Sequence, residues 1–335
     1  MKVRVSIIGG SGVEVFHRRL ASALSGHGVE SQITKFSPRW EYFPWALKWI
    51  PGGKEPFDLM HVNVEYGCFF INNCCPFLAT LHHCTIDDEF LRGLPLLTRT
   101  HHRSLLVQIV AQTIREARAL VGVSQYTKRS FCNFFQDDLP IEVIHNGVDP
   151  VLYAPSNYPL SKNGPIRLFF SGNLSHRKGV DLMASMMREL GKDFLLLYTS
   201  GLRHTYSPIA GENTRYLGFL EEPRMIEILQ SSDIVLHPSR REGFGQSILE
   251  GMACGKPIVA TQCSAIPELV DHEKGGYLCE PESVAQLVSA VKRLSQSSDH
   301  RQAMGAYNRQ VVLERFTLDR MARRYYTVYQ SLAQD

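Results

Sequence analysis

At 335 residues with 44% apolar side chains, the chain is long enough for two domains that each bury a core, which excludes a disordered or peptide-like protein. Its formal charge of +3 is spread evenly, with 15 Lys and Arg against 14 Asp and Glu over residues 1 to 150, so it carries no electrostatic footprint for nucleic acid. The opening "MKVRVSIIGG" has no long apolar stretch or cleavage site, and nowhere do 18 apolar residues run together, so a soluble cytoplasmic protein is expected.

In chain order, β-branched apolar runs alternate with helical patterns. "VRVSIIG" (3–9) precedes a helix over 15–28, and "FDLMHVN" (57–63) and "PFLATLHH" (76–83) precede a helix over 105–118. "ALVGVS" (119–124) and "IEVIHNG" (141–147) complete the first half. After the polar stretch "PSNYPLSKNGP" (155–165) the pattern restarts with "IRLFFSG" (166–172), a helix over 180–190, "FLLLYTSG", "DIVLHPS" (233–239) and "PIVATQ". The strand-helix repetition predicts two Rossmann-like α/β domains with doubly wound parallel sheets, divided near residue 160 into 1–160 and 161–317. Facing one another, two such domains set the carboxyl ends of their strands around a shared cleft. Apolar residues at helical spacing (Leu318, Met321, Tyr325, Val328, Leu332) predict a long terminal helix.

Eight cysteines without CxxC spacing, two of them adjacent at Cys74 and Cys75, suit no disulfide framework. The group Cys68, Cys74, Cys75, His82, His83 and Cys84 matches no metal-ligand template.

The chemistry concentrates in "REGFGQSILEGMACGKP" (241–257), where Glu242 and Glu250 bracket a Gly-Phe-Gly turn between a strand and a helix. The amides of Phe244, Gly245, Gln246 and Ser247 are expected to be unpaired donors of the helix's first turn, and the small glycines let a ligand approach the backbone. Glu242 can accept hydrogen bonds from ligand hydroxyls, and Glu250 can take a diol such as a ribose. A second element is "FFSGNLSHRKGVDLM" (169–183): a strand ends at Gly172, and Arg177 and Lys178 precede a helix where they can neutralise a departing diphosphate.

These residues resemble a family. "SGNLSHRKG", "YLGFL", "DIVLHPSRREGFGQSILEGMACGKPIVAT" and "GGYLCEPES" look like the donor-binding domain of retaining GT-B glycosyltransferases, specifically glycosyltransferase family 4 with its E-x7-E motif. "SGVEVFHRRLASALSGHGVE", "TLHHC", "VGVSQYTKRSF" and "VIHNGVD" agree more loosely in the N-terminal half. The resemblance implies a GT-B fold with an N-terminal acceptor-binding domain, a C-terminal donor-binding domain, and a last helix from about 318 that crosses back to the first. It assigns Arg177 and Lys178 to the diphosphate of a nucleotide sugar and Glu242 to the donor sugar. Glu250 falls to the ribose, Gly12 to close approach of the loop after the first strand, and His82 to the donor sugar near the acceptor. His83 stands beside His82, and strand alternation turns their rings to opposite faces, so one of the two faces the cleft. Asn173 stands where the family commonly has Arg.

With cations to stabilise the leaving group and no Asp-x-Asp motif, metal-independent, front-face transfer is expected, with no cofactor. Closure about a hinge near residue 160 follows from phosphate contacts in both domains. The resemblance implies a UDP-, GDP- or ADP-sugar as donor, with the base near "YLGFL" (216–220), and a glycan, a lipid-linked glycan or a small molecule as acceptor. Trp40, Trp45 and Trp49, within "PRWEYFPWALKWIP", form a packed loop, a sugar-stacking wall or a peripheral membrane contact at the inner face of a membrane. The competing classes are a non-catalytic nucleotide-sugar-binding protein or inactive partner subunit, a sugar-nucleotide epimerase, and an NAD-dependent oxidoreductase. Against the last, "GGSGVE" carries Val15 where a dinucleotide fingerprint needs Gly.

Overall fold

The computed structural model describes residues 1–8, 12–41, 43–49, 56–70, 75–92, 94–156, 164–201, 209 and 211–334. The chain forms two compact units, Met1–Asn146 with Leu318–Asp335, and Gly147–Thr317. The expected hinge near residue 160, Cys74 and the glycines preceding Gly12 lie outside the described residues, as does the side chain of Trp49.

The first unit begins with β1 (Lys2–Ile8), α1 (Gly12–Ser25) and β2 (Glu30–Phe36), followed by 3-10 turns at Pro38–Glu41 and Pro44–Trp49. It continues through β3 (Leu59–Asn63), β4 (Phe77–Leu81), α2 (Asp88–Leu91), α3 (Leu96–His101), α4 (Val107–Glu116), β5 (Ala119–Gly122), α5 (Gln125–Phe135) and β6 (Ile141–Val143). Its six strands pair in the order β2-β1-β3-β4-β5-β6, every pair parallel. Neighbouring residues on a strand point to opposite faces: Leu59 and Leu78 join the layer under α1, whereas Met60, Phe77 and Ala79 join the layer under α4 and α5. Both faces being covered, the inner strands β3 and β4 are buried almost throughout, whereas the edge strand β2 (ESQITKF) is polar and half exposed.

The second unit runs β7 (Ile166–Phe170), α6 (Val180–Leu190), β8 (Phe194–Tyr198), β9 (Thr214–Tyr216), α7 (Glu222–Ser231), β10 (Ile234–His237), α8 (Gln246–Ala253) and β11 (Ile258–Thr261). It ends with α9 (Ile266–Leu269), β12 (Gly276–Cys279), α10 (Val284–Ser295) and α11 (Ser298–Arg315). The sheet order is β12-β11-β10-β7-β8-β9, again parallel. Met183, Met186, Met187 and Leu190 of α6 and Leu287, Val291 and Leu294 of α10 cover one face.

The final helix, α12 (Leu318–Gln334), belongs to the first unit. Met321, Ala322, Tyr325, Val328, Tyr329 and Leu332 are buried against Phe16, Leu20 and Leu24 of α1, and Arg324 donates to Glu142 on β6 at 2.8 Å.

Several boundaries differ from the sequence reading. The first helix spans 12–25 rather than 15–28, so Gly12 opens a helix instead of lying in a loop, and the turn with Gly28 at φ 75° ends it early. The helix expected over 105–118 starts inside a wide turn of five residues, His102–Leu106, that continues α3. Strand β4 stops at Leu81, which leaves both His82 and His83 beyond its pleat. The second unit starts at Gly147, ahead of residue 160, because Val148 bridges to Thr317, and Arg309 donates to the carbonyls of Pro150 and Tyr153.

The tryptophan stretch is divided in its exposure. Leu47 is buried, whereas Phe43 and Trp45 are exposed and meet edge to face with centroids 5.6 Å apart. No described helix is long and apolar enough to cross a membrane.

Candidate functional site

The order of the second sheet locates the site. Strands β7 and β10 are neighbours, yet the chain leaves β7 toward β8 on one side and β10 toward β11 on the other. At such a switch point the two outgoing loops part, and a crevice opens at the carboxyl ends of the strands. The loop after β7 carries Gly172 and the 3-10 turn His176–Lys178, and the loop after β10 carries Ser239, Glu242 and Gly245.

The loops are fastened together by their backbones. The amide of Arg240 donates to the carbonyl of Arg177 at 2.8 Å. Gly179, at φ +68°, ends the turn where a Cβ would lie 2.0 Å from the carbonyl oxygen of Pro238, so no other residue fits there without moving β10's end. The Arg240 side chain reinforces this contact: it donates to both oxygens of Asp181 at 2.7 Å, to Glu282, and to the carbonyl of His176 at 2.5 Å. Burial raises the Asp181 carboxyl, but the bonds and charge of Arg240 outweigh it and hold the group below its usual range.

Glu242, 5% exposed, is the centre of the cluster. Its Oε1 accepts from Lys178 Nζ at 2.6 Å, Ser239 Oγ at 2.9 Å, His237 Nε2 at 3.1 Å and Arg177 Nη1 at 3.5 Å. Arg177 Nη1 also donates to the carbonyl of Arg241 at 2.8 Å. Burial alone would push the Glu242 carboxyl up, yet the Lys178 and Arg177 charges hold it well below the usual carboxylate range. For Lys178 burial wins, and its ammonium is lowered despite the attraction of Glu242. The side chain of Lys178 crosses Gly172, its Cε 3.3 Å from where a Cβ would stand.

Helix α8 opens beside this cluster. Gly245, at φ 105°, is its N-cap, and its carbonyl takes the amides of Ile248 and Leu249. The amides of Gln246 and Ser247 lie in the first turn, where no helical carbonyl precedes them. Phe244 itself is buried, its ring edge-on to Phe316 with centroids 5.9 Å apart. Glu250, 8% exposed, stands one turn further along α8.

The structure therefore brings together Gly172, Arg177, Lys178, Glu242, Phe244, Gly245, Gln246, Ser247 and Glu250 within the second unit. Gly12 and His82 belong to the first unit. Gly12 is exposed, and among the described residues a Cβ there would meet nothing within 4 Å, so their packing does not require glycine. His82, 8% exposed, lies edge-on to Phe16 at 4.8 Å and to His17 at 6.1 Å, with its Nε2 buried and without a partner among the described residues. Burial first, then the neighbouring His17 and His83, keep it neutral well below its ordinary range.

Sequence reasoning missed His237, Ser239 and the Arg240 clamp with Asp181 and Glu282. His237 did carry a signal, since a polar residue in the otherwise apolar run Ile234–Leu236 needs a buried partner. The clamp had none, because its members are 59 and 42 residues apart.

Comparison with known proteins bears on the chain as a whole. Residues 157–311 match the family model described as Glycosyl transferases group 1, and residues 10–152 match the one described as Glycosyltransferase Family 4. Each half of the chain is thus a glycosyltransferase homologue. The N-acetyl-alpha-D-glucosaminyl L-malate synthase of Bacillus anthracis is 25% identical over 305 residues, 84% of this chain and 77% of that protein. The glycogen synthase of Mycobacterium tuberculosis is 29% identical over 203 residues, 53% of this chain and 46% of that protein. Among solved structures, sucrose-phosphate synthase from Thermosynechococcus elongatus superposes with a TM-score of 0.82 at 16% identity, covering 99% of each chain. Anabaena HepE, solved in complex with UDP-glucose, gives 0.75 at 19% identity over 99% of this chain and 100% of its own. The fold is that of the GT-B glycosyltransferases.

Proposed function

We propose that the protein is a retaining glycosyltransferase that moves a sugar from a nucleotide diphosphate sugar to an acceptor hydroxyl, without a metal and by front-face attack. The observation that carries the reading is the convergence of Arg177, Lys178 and Glu242 at a switch point, beside the first-turn amides of α8. The second unit is the donor domain and the first the acceptor domain.

Arg177 and Lys178 face the diphosphate as its charge grows in the transition state, where fixed cations in a partly dry site act most strongly. Among the described residues the donors to Glu242 fall on Oε1, so Oε2 takes the hydroxyl of the donor sugar. The amides of Gln246 and Ser247 hold ligand oxygens, and Glu250 holds the ribose diol. In the first unit, the neutral His82, whose Nε2 has no partner among the described residues, is assigned to the donor sugar near the acceptor, and the helix opened by Gly12 offers its first amides. The acceptor hydroxyl approaches from the face that the diphosphate leaves; its oxygen bonds the anomeric carbon while a leaving phosphate oxygen takes its proton.

Incubation with a panel of UDP-, GDP- and ADP-sugars in excess chelator tests this, with UDP-glucose first because a solved neighbour binds it. Slow release of one nucleotide with the α-configuration kept in the freed sugar is the expected result. Lys178→Ala should lower that turnover more than it weakens nucleotide binding. Binding without turnover in the presence of acceptors would favour a non-catalytic binder, and absence of binding would overturn the reading.

A further inference from the structure

His237 ends β10 with no exposed surface, and both of its ring nitrogens are occupied. Nε2 lies 3.1 Å from Glu242 Oε1, and Nδ1 lies 3.4 Å from Ser247 Oγ in the first turn of α8. The Phe170 ring packs beside it at 6.3 Å between centroids. An ionised carboxylate only accepts, so the hydrogen between His237 and Glu242 sits on Nε2. A neutral imidazole then has a bare Nδ1, and the Ser247 hydroxyl must donate into it. Burial, and after it the cations Lys178 and Arg177, favour the neutral ring, while Glu242 opposes them.

We infer that His237 is a positioning residue that ties the Glu242 carboxylate to the first turn of α8 through an Nε2–H tautomer, and thereby fixes what Ser247 can bind. The inference rests on the donor-site reading for its effect on turnover. Ser247 has given its hydrogen to the ring, so its Oγ presents lone pairs alone. It accepts from a ligand hydroxyl and repels a phosphate oxygen, which puts Ser247 on the sugar side of the donor and leaves the phosphates to the amides and cations. His237 itself touches no substrate.

The arrangement is tested first on the wild-type protein without ligand, by nitrogen-15 spectroscopy of its histidines. The expected result is a single Nε2–H tautomer for His237 that stays neutral through the pH range about its ordinary 6.5. An Nδ1–H tautomer or an imidazolium there overturns the inference whether or not the protein is an enzyme. Two variants then separate positioning from bulk packing: His237→Gln keeps an N–H where Nε2 stood, and His237→Leu removes it. With the panel sugar nucleotide that the wild type hydrolyses, His237→Leu should lose turnover roughly ten- to hundredfold while affinity for the bare nucleotide stays within about threefold, as expected for a misplaced group. His237→Gln should recover most of the loss. Wild-type turnover in His237→Leu, or equal losses in two variants with intact thermal transitions, would overturn the inference. A wild type that binds no sugar nucleotide would sink the proposed function and leave the tautomer result to decide the Glu242–His237–Ser247 link.

Discussion

At the residue scale the centre of the second unit is a carboxylate one of whose oxygens the protein itself has saturated. Glu242 Oε1 meets four donors, two of them cationic, and the side chains of Glu242 and Lys178 are 6% and 11% exposed. Removing one partner of such a pair leaves the other as an uncompensated buried charge, which costs more than the pair contributes. Glu242→Ala should therefore lower the unfolding free energy by about 3 kcal/mol, read from urea unfolding. The double variant Glu242→Leu with Lys178→Met should recover much of that stability while remaining inactive on sugar nucleotides. If the double variant were no more stable than Glu242→Ala, the loss would come from Ser239, His237 and Arg177 rather than from the stranded ammonium.

At the element scale, α12 is docked by a polar chain as well as an apolar face. Tyr329 Oη and His61 Nδ1 are 2.6 Å apart, His61 Nε2 and Thr80 Oγ1 2.6 Å, and Thr80 Oγ1 and Tyr325 Oη 3.3 Å, all buried. Tyr329→Phe keeps the ring but strands a buried imidazole nitrogen, at a cost of about 1–3 kcal/mol. Amide exchange should rise along α12 and the adjacent β3, and unchanged exchange would mean that the apolar face alone holds the helix. The apolar half of this docking was legible in the sequence, because Met321, Tyr325, Val328 and Leu332 recur at helical spacing. The polar half was not, since His61 and Tyr329 are 268 residues apart and neither belongs to a local pattern. The same division holds in the second unit. Strand-loop-helix punctuation marked Arg177, Lys178, Glu242 and the α8 turn, because glycines and strand ends are local signals. That one oxygen of Glu242 gathers both cations depends on β7 and β10 being neighbours, which periodicity does not encode.

At the scale of the whole molecule, the two units differ in how they bury ionisable groups, and acid should separate them. In the first unit burial lowers His17 to about 4, and burial followed by mutual repulsion lowers His61 and His82 well below 6.5. Unfolded histidines take up protons near 6.5 that the folded rings refuse, so this contribution is fully present above about 6.5 and lost as pH falls toward 4, roughly 3 kcal/mol for His17 alone. Glu65 works against the loss: burial raises it to about 7 from 4.5, so the folded state takes its proton first and gains stability as pH falls across that window. These three rings, with His102 lowered by burial in the same sense, oppose one carboxyl, and the first unit is the net loser. The second unit buries His237, which is lowered in the same sense, but its Glu242 and Asp181 carboxyls are held below their ordinary range and give up their contribution only at still lower pH. All three tryptophans fall within Met1–Asn146, so indole fluorescence reports on the first unit while far-ultraviolet circular dichroism reports on both. Fluorescence should therefore change between about pH 6.5 and 4, ahead of the main loss of helical signal, and the two transitions should not coincide. Coincident transitions would mean that the buried histidines of the first unit do not set the acid limit of the fold.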